Sequence, residues 1–217
     1  MTSQLLALDL ADWAGARSND DWIAALEAGK VLYFPRLGFD LLPQERQLLD
    51  PALLAAGSRN ISLDGAGQLK GAAGSTEVQQ AAAAMVARFR AQARQLVDGL
   101  LPGYGAALRM APTSFRPVQV ESRAQSWRAD DKRLHVDAFP SRPNYGERIL
   151  RVFTNLNPNG APRVWRVGEP FETVAQRFLP RLKPYSRWQA KALQALRVTK
   201  SLRSEYDHLM LQLHDAM

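Results

Sequence analysis

The residues whose types and spacing could do chemistry are His135 and Asp137, two positions apart in the segment RLHVDAF. On an extended strand, side chains two apart point to the same face, so an imidazole and a carboxylate there converge on one ion. Val136 would then face the opposite side. A histidine near an aspartate is also a common surface ion pair, so the spacing alone leaves both interpretations open.

The composition limits the ligands of any metal site. There is no cysteine and there are only three histidines, so His, Asp and Glu must supply the donors. Two histidines and one carboxylate form the facial triad of non-haem Fe(II) oxygenases, which leaves coordination positions open. The later histidines, His208 and His214, lie in the amphipathic pattern SEYDHLMLQLHDAM and do not share a helical face. The pattern favours exposed or capping roles for both, which leaves the third ligand open.

The elements that must position this pair follow a clear order along the chain. Capping residues and apolar periodicity predict helices in the first and last thirds: 19–29, 43–54, 77–100 with a capping pair at Thr76 and Gln79, 171–179, 186–196 and 201–217. Strands are predicted between and beside them, at 30–34, 114–120, 148–155 and 162–167, with a hairpin or mobile loop at 64–74. Helices around a strand-rich core favour an α+β sandwich or barrel over an alternating βαβ sheet. No phosphate-binding glycine motif follows any predicted strand.

The charge balance has two interpretations, an anionic partner or a high-GC genome that favours Arg and Ala codons. The 217 residues, enough for one domain or for one domain with a helical lobe, carry 28 Lys and Arg against 21 Asp and Glu, a net charge of +7. Such a field attracts nucleic acid, anionic lipid or small acidic substrates. A basic nucleic-acid-binding protein is the non-enzymatic alternative, but no zinc finger, RNP-like strand or KH-type pattern is present, so we expect no nucleic acid partner. No apolar run is long enough for a transmembrane helix, and the N-terminus lacks the basic region of a secretory signal, so we expect a cytoplasmic protein.

A long central stretch carries a family resemblance. The segment SWRADDKRLHVDAFPSRPNYGERILRVFTNLNPNGAPRVWRVGEPFE resembles the Kdo hydroxylases, and SEYDHLMLQLHDAM is similar to them too. These are Fe(II)/2-oxoglutarate oxygenases that hydroxylate 3-deoxy-D-manno-oct-2-ulosonic acid (Kdo) in the lipopolysaccharide inner core of Gram-negative bacteria. The resemblance is strong over residues 114–217 and looser before them. It implies a double-stranded β-helix (jelly-roll) core with N- and C-terminal helices, iron at His135 and Asp137, and 2-oxoglutarate and O₂ as co-substrates.

The same resemblance implies a division of the chain and an open question about its activity. We expect a helical lobe with the first strands in residues 1–110, and core strands, the H-x-D motif and the C-terminal helices in 111–217, working as one functional unit. Family members continue beyond Met217 with closing strands and the distal histidine, so we expect an incomplete jelly roll. Two alternatives stay open: a catalytically incomplete remnant, and an oxygenase for another anionic substrate.

The resemblance also suggests how 2-oxoglutarate is held. Its far carboxylate needs a cation, and arginine binds carboxylates in a bidentate manner. Arg151, on the predicted strand after the motif, is the first candidate. Asn155 would share a face with it, and Arg116 on the preceding strand is the competitor. The alternative is that Arg151 faces solvent.

Kdo is a sugar acid, so a second basic cluster should lie near the iron. The candidates flank the motif: Trp127, Arg128, Lys132, Arg133 and Arg142. Trp127 would stack on a sugar face, while ordinary solvated loop charges are the alternative for the cations. A substrate on lipid A would place the enzyme at the anionic inner-membrane surface, as a peripheral protein.

Overall fold

The computed structural model describes residues 4–117, 134–138, 143–164 and 168–217, in two compact units. Within these ranges, the first unit contains the residues up to 117 together with 152–163. The second contains 134–138, 143–151, residue 164 and 168–217. The boundary that the sequence suggests at residues 110 and 111 stays a prediction.

The first unit combines two α-helices with two small sheets. The helices are α1, Asp20–Glu27, and α2, Thr76–Leu100. The strands are β1, Leu5–Ala7; β2, Val31–Tyr33; β3, Ile61–Leu63; β4, Leu69–Lys70; and β5, Thr113–Phe115. β1 pairs in parallel with β2, and β3 lies between β4 and β5, antiparallel to both. The glycine-rich stretch is therefore the hairpin that joins β3 to β4.

Helix α2 is the main element of the hydrophobic core. Its apolar face buries Met85 and Leu96 with the β3 residues Ile61 and Leu63, whose side chains are almost fully shielded from solvent. At Gly99 the helix passes so close to the chain that a Cβ atom would lie 2.7 Å from the carbonyl oxygen of Ala16. Glycine is therefore required at this position by packing, although it weakens a helix interior elsewhere.

Local signals explain most of the helix boundaries in this unit. The Asn19 side chain accepts hydrogen bonds from the backbone of Asp21 and Trp22 and caps α1. The predicted cap of α2 is wrong by one residue, because Ser75 rather than Thr76 accepts from the Val78 N–H. The predicted helix at 43–54 is instead two 3₁₀ helices, Pro43–Leu49 and Pro51–Leu53, because the ring of Pro51 interrupts a continuous helix.

The second unit is helical in its C-terminal part. It contains α3, Phe171–Phe178; α4, Arg187–Ala195; and α5, Glu205–Ala216. Each helix buries a small apolar contact surface, centred on Val174, Ala190 and Leu213 respectively. All three lie where the apolar periodicity predicts them.

The α+β class is confirmed, but two predicted strands are wrong within the described residues. Residues 148–155 and 162–164 are not strands, because none of the described segments pairs with them in a ladder. The alternation of buried and exposed side chains expected of a strand is still present in part. Val152 and Leu156 pack against the core, while Phe153 is exposed. The described residues form no closed barrel, and none of their helices has the length and apolar character needed to cross a membrane.

Candidate metal centre

The H-x-D segment lies in residues 134–138 of the second unit. Val136 is half-buried while His135 and Asp137 on either side of it are exposed, as expected if the two polar side chains share the accessible face. These residues form no strand ladder in the structure. Leu134 packs so closely on Gly168 that a Cβ there would lie 2.6 Å from its Cδ1 atom, so this contact helps to fix the start of the segment.

The Asp137 carboxylate has a cationic partner. Its Oδ2 lies 2.6 Å from Nη2 of Arg151, and the side chains are 37% and 44% exposed. An ion pair this accessible to water contributes about 0–1 kcal/mol to stability, so it orients the carboxylate more than it stabilises the fold. Arg151, the predicted anchor for 2-oxoglutarate, is thus placed directly beside the predicted metal ligand.

The two later histidines have different surroundings. His214 packs edge-on against His135, with ring centroids 5.6 Å apart, and its Nδ1 lies 2.7 Å from the Val136 carbonyl oxygen. His208 Nε2 instead lies 3.0 Å from the Lys183 carbonyl oxygen, and its ring packs edge-on against Tyr185. Within the part of the chain that the structure describes, no three His, Asp or Glu side chains are placed to hold one metal ion.

A cleft opens beside Asp137 within the second unit. Its volume is about 420 Å³, and Val136 and Asp137 form part of its wall. The remaining wall includes polar and aromatic side chains: Asn144, Glu147, Arg148, Phe171 and Tyr206. Polar groups beside aromatic faces are the usual means of binding a sugar or sugar acid.

The other predicted site residues fall in different places. Asn155 belongs to the first unit, where its amide donates to the Ala161 carbonyl at 2.8 Å and its oxygen accepts from the Asn157 N–H, so its polar atoms hold a turn. Arg116 follows β5 in the same unit. The predicted substrate contacts lie outside the described residues: Trp127, Arg128, Lys132, Arg133 and Arg142.

The sequence did not indicate several residues of this site. The sequence pattern places Arg148 at the start of a predicted strand, and Phe171 and Tyr206 in predicted helices. Their sole sequence signal is aromatic or cationic character near the motif, which many surface residues share. The sequence pattern favours an exposed or capping role for His214. Helical periodicity shows which face a residue occupies but not which residues it contacts.

Comparisons with known proteins identify the family. The family model described as "3-deoxy-D-manno-oct-2-ulosonic acid (Kdo) hydroxylase" matches residues 11–217. A search of curated proteins finds no match. Several solved structures match, all of the Kdo hydroxylase KdoO, described as a non-haem Fe(II) α-ketoglutarate-dependent dioxygenase.

Two of these structures contain groups relevant to the site. The cobalt(II) complex is 44% identical with a TM-score of 0.94, over 99% of this chain and 73% of that chain. The complex with α-ketoglutarate and Fe(III) is 44% identical with a TM-score of 0.91, over 98% of this chain and 72% of that chain. The sequence resemblance is therefore confirmed, and this chain belongs to the Kdo hydroxylase family of non-haem Fe(II)/2-oxoglutarate-dependent dioxygenases.

Proposed function

We propose that this chain hydroxylates the Kdo sugar of the lipopolysaccharide inner core, using Fe(II), 2-oxoglutarate and O₂. The supporting observation is that Asp137 of the H-x-D pair borders a cleft large enough for one sugar acid. Family membership supplies the class of reaction. The finer fold, a double-stranded β-helix (jelly-roll) core with N- and C-terminal helices, belongs to this proposal.

His135 and Asp137 have the donor types that suit iron. An imidazole and a carboxylate are two members of the facial triad, and both side chains are exposed. They fit two of its three protein positions, while the described residues place no third His, Asp or Glu with them. When bound, iron with 2-oxoglutarate and O₂ supplies the oxidising chemistry, and the protein binds and orients the reactants and excludes water.

The anchoring of 2-oxoglutarate is assigned to Arg151. Its guanidinium already binds one carboxylate, that of Asp137, at 2.6 Å, and a half-exposed pair can exchange partners at little cost. Arg116 and Asn155 stay as further proposed contacts. Arg116 offers a second guanidinium, whereas Asn155 would first have to release the turn that it holds.

The cleft beside Asp137 is assigned to the sugar. Its volume of about 420 Å³ lies within the range of small-molecule sites, roughly 300–1,000 Å³. Arg148 would bind the sugar carboxylate, Asn144 and Glu147 would bind hydroxyl groups, and the exposed ring of Tyr206 offers a face for stacking. The basic and aromatic residues predicted from the sequence lie outside the described residues and remain proposed contacts to the sugar acid: Trp127, Arg128, Lys132, Arg133 and Arg142.

Replacing Arg148 by alanine should raise the KM for the Kdo substrate by about tenfold or more, since one charge-assisted contact contributes about 1.5–3 kcal/mol. The slow 2-oxoglutarate consumption without sugar should not change, because Arg148 is not assigned to the co-substrate. Arg177→Ala is the matched control: this arginine pairs with Glu169 at 2.6 Å and does not line the cleft. A wild-type KM in the Arg148 variant would remove this residue from the sugar site.

The whole proposal is tested by incubating the protein with Fe(II), 2-oxoglutarate and Kdo-bearing lipid A. We expect 2-oxoglutarate consumption to increase with the sugar substrate and the sugar to gain one oxygen atom by mass spectrometry. If 2-oxoglutarate consumption is stimulated only by a different anionic metabolite, that metabolite rather than Kdo is the substrate. Sugar binding without any 2-oxoglutarate consumption would indicate the catalytically incomplete remnant instead.

A substrate carried on lipid A would bring the protein to a membrane surface. The net charge of +7 favours peripheral binding to anionic lipid, at about 1 kcal/mol for each basic residue near the surface. We expect the protein to sediment with vesicles containing phosphatidylglycerol but not with phosphatidylcholine vesicles, and to be released as salt is raised. Equal binding to both vesicle types, or none to either, would contradict peripheral association through charge.

A further inference from the structure

The last turn of α5 contacts the backbone between the two proposed metal ligands. His214 Nδ1 lies 2.7 Å from the carbonyl oxygen of Val136, the residue between His135 and Asp137. A carbonyl oxygen only accepts hydrogen bonds, so Nδ1 must carry the proton and donate. This contact defines one ring tautomer of His214 and restrains the peptide unit that joins the two ligand residues.

The same imidazole restrains the first ligand directly. The rings of His214 and His135 meet edge to face, with centroids 5.6 Å apart and planes 66° from parallel. Aromatic pairs in this arrangement favour one relative orientation over free rotation. One side chain therefore limits both the backbone of the H-x-D segment and the rotation of its imidazole.

Helix α5 is itself anchored to the chain that follows the motif. Asp207, in its first turn, is only 5% exposed and accepts hydrogen bonds from the N–H groups of Asn144, at 2.7 Å, and Tyr145, at 3.2 Å. Tyr145 has a φ of 55°, a conformation that is costly for a residue with a side chain and needs such support. Helix α5 thus forms hydrogen bonds with the backbone at Val136, through His214, and at Asn144, through Asp207.

The described residues place His214 in no metal-binding group. It forms no group of three with His135 and Asp137 that would hold an ion, within the residues that the structure describes. Metal-binding sites commonly depend on partners that orient the ligands without touching the metal. We infer that His214 is a positioning residue, which holds His135 and Val136 so that the proposed metal pair is formed before the metal binds. This inference rests on the proposed function of His135 and Asp137.

Three substitutions separate positioning through Nδ1 from other roles. His214→Ala removes the donor and the ring. His214→Asn keeps an amide N–H at the place of Nδ1 along the side chain, whereas His214→Gln moves the N–H one bond farther, toward the place of Nε2. The control is His208→Ala on the same helix, because His208 contacts Lys183 and Gln212 and not the motif.

The probe is Co(II), titrated into the full chain by calorimetry. We expect His214→Ala to weaken Co(II) binding by about 10- to 100-fold, the range found for partners that orient metal ligands. His214→Asn should recover most of this loss, while His214→Gln should not, and His208→Ala should bind as the wild type does. Wild-type affinity in the alanine variant, or better recovery by glutamine than by asparagine, would overturn the positioning role.

A measurement on the metal-free wild-type protein requires no substitution. With ¹⁵N-labelled histidine, NMR should show the His214 ring protonated at Nδ1, with that proton protected from exchange by the Val136 carbonyl. A ring protonated only at Nε2 would overturn the inference even if the variants did not fold. Failure of the proposed function has a different signature: the wild-type protein would bind no Co(II), although the Nδ1 proton would still be protected.

Discussion

Replacing His135 by alanine should reduce Fe(II)-dependent 2-oxoglutarate consumption to the level seen without protein. The reason is that His135 and Asp137 are the two protein ligands proposed for the ion, so removing either leaves too few to hold it. Asp137→Ala should have the same effect. Loss should appear both in the turnover assay and in a direct Fe(II) titration under anaerobic conditions.

The control for this prediction is again His208→Ala. It removes an imidazole from the same unit, but one whose ring bonds Lys183 and Gln212 far along the chain from the motif. Its turnover and Fe(II) affinity should match those of the wild type. Unchanged turnover in His135→Ala would exclude this residue as a ligand and would leave the motif as an ordinary ion-pair segment.

Replacing Arg151 by alanine should raise the apparent KM for 2-oxoglutarate by about 100-fold, or roughly 2.8 kcal/mol at 1.4 kcal/mol for each factor of ten. That is the size expected when a bidentate, charge-assisted contact to a carboxylate is lost. The KM of Arg151→Lys should fall between those of the wild type and of Arg151→Ala, since lysine keeps the charge without the paired N–H groups. The measurement is a 2-oxoglutarate titration at saturating Fe(II).

The ion pair with Asp137 gives Arg151 an alternative role that the same experiment distinguishes. If Arg151 only orients the Asp137 carboxylate, its removal will weaken Fe(II) binding and leave the 2-oxoglutarate KM unchanged once the metal is saturating. That outcome would move the co-substrate anchor elsewhere, with Arg116 the next candidate. Arg177→Ala, which breaks an unrelated surface ion pair, should alter neither quantity.

The helices could be predicted because their signals are local. Asn19 caps α1 through its own side chain, and the periodic apolar residues of α2 mark its buried face without reference to distant parts of the chain. The helix predicted across residues 43–54 failed for a reason also visible in the sequence, since Pro51 lacks an N–H and interrupts the helix.

Strands were harder to predict because a strand is defined by its partner. The hairpin of β3 and β4 was recoverable from its glycine-rich turn, where the Asp64 side chain accepts from the Gln68 N–H at 2.9 Å. Residues 148–155 show that an alternating pattern is insufficient: Val152 packs inward as alternation suggests, but none of the described segments pairs with it.

The site residues also differ in whether their signals are local. The spacing indicated His135 and Asp137 as candidates, and the family resemblance implied iron there and suggested Arg151, which the structure places 2.6 Å from the Asp137 carboxylate. The contact of His214 with Val136 joins residues 78 positions apart, and it depends on how α5 packs. No pattern within α5 reports that distance, so the structure was needed to find it.

The central claim is that one imidazole and one carboxylate of the H-x-D segment hold the same ion. Crystals of the full chain grown with Co(II) and measured at the cobalt absorption edge test this directly. The claim predicts an anomalous peak about 2.0–2.2 Å from both a His135 ring nitrogen and an Asp137 oxygen, the distances usual for such ligands. A peak that contacts neither residue, with the two side chains turned to opposite sides, would contradict it.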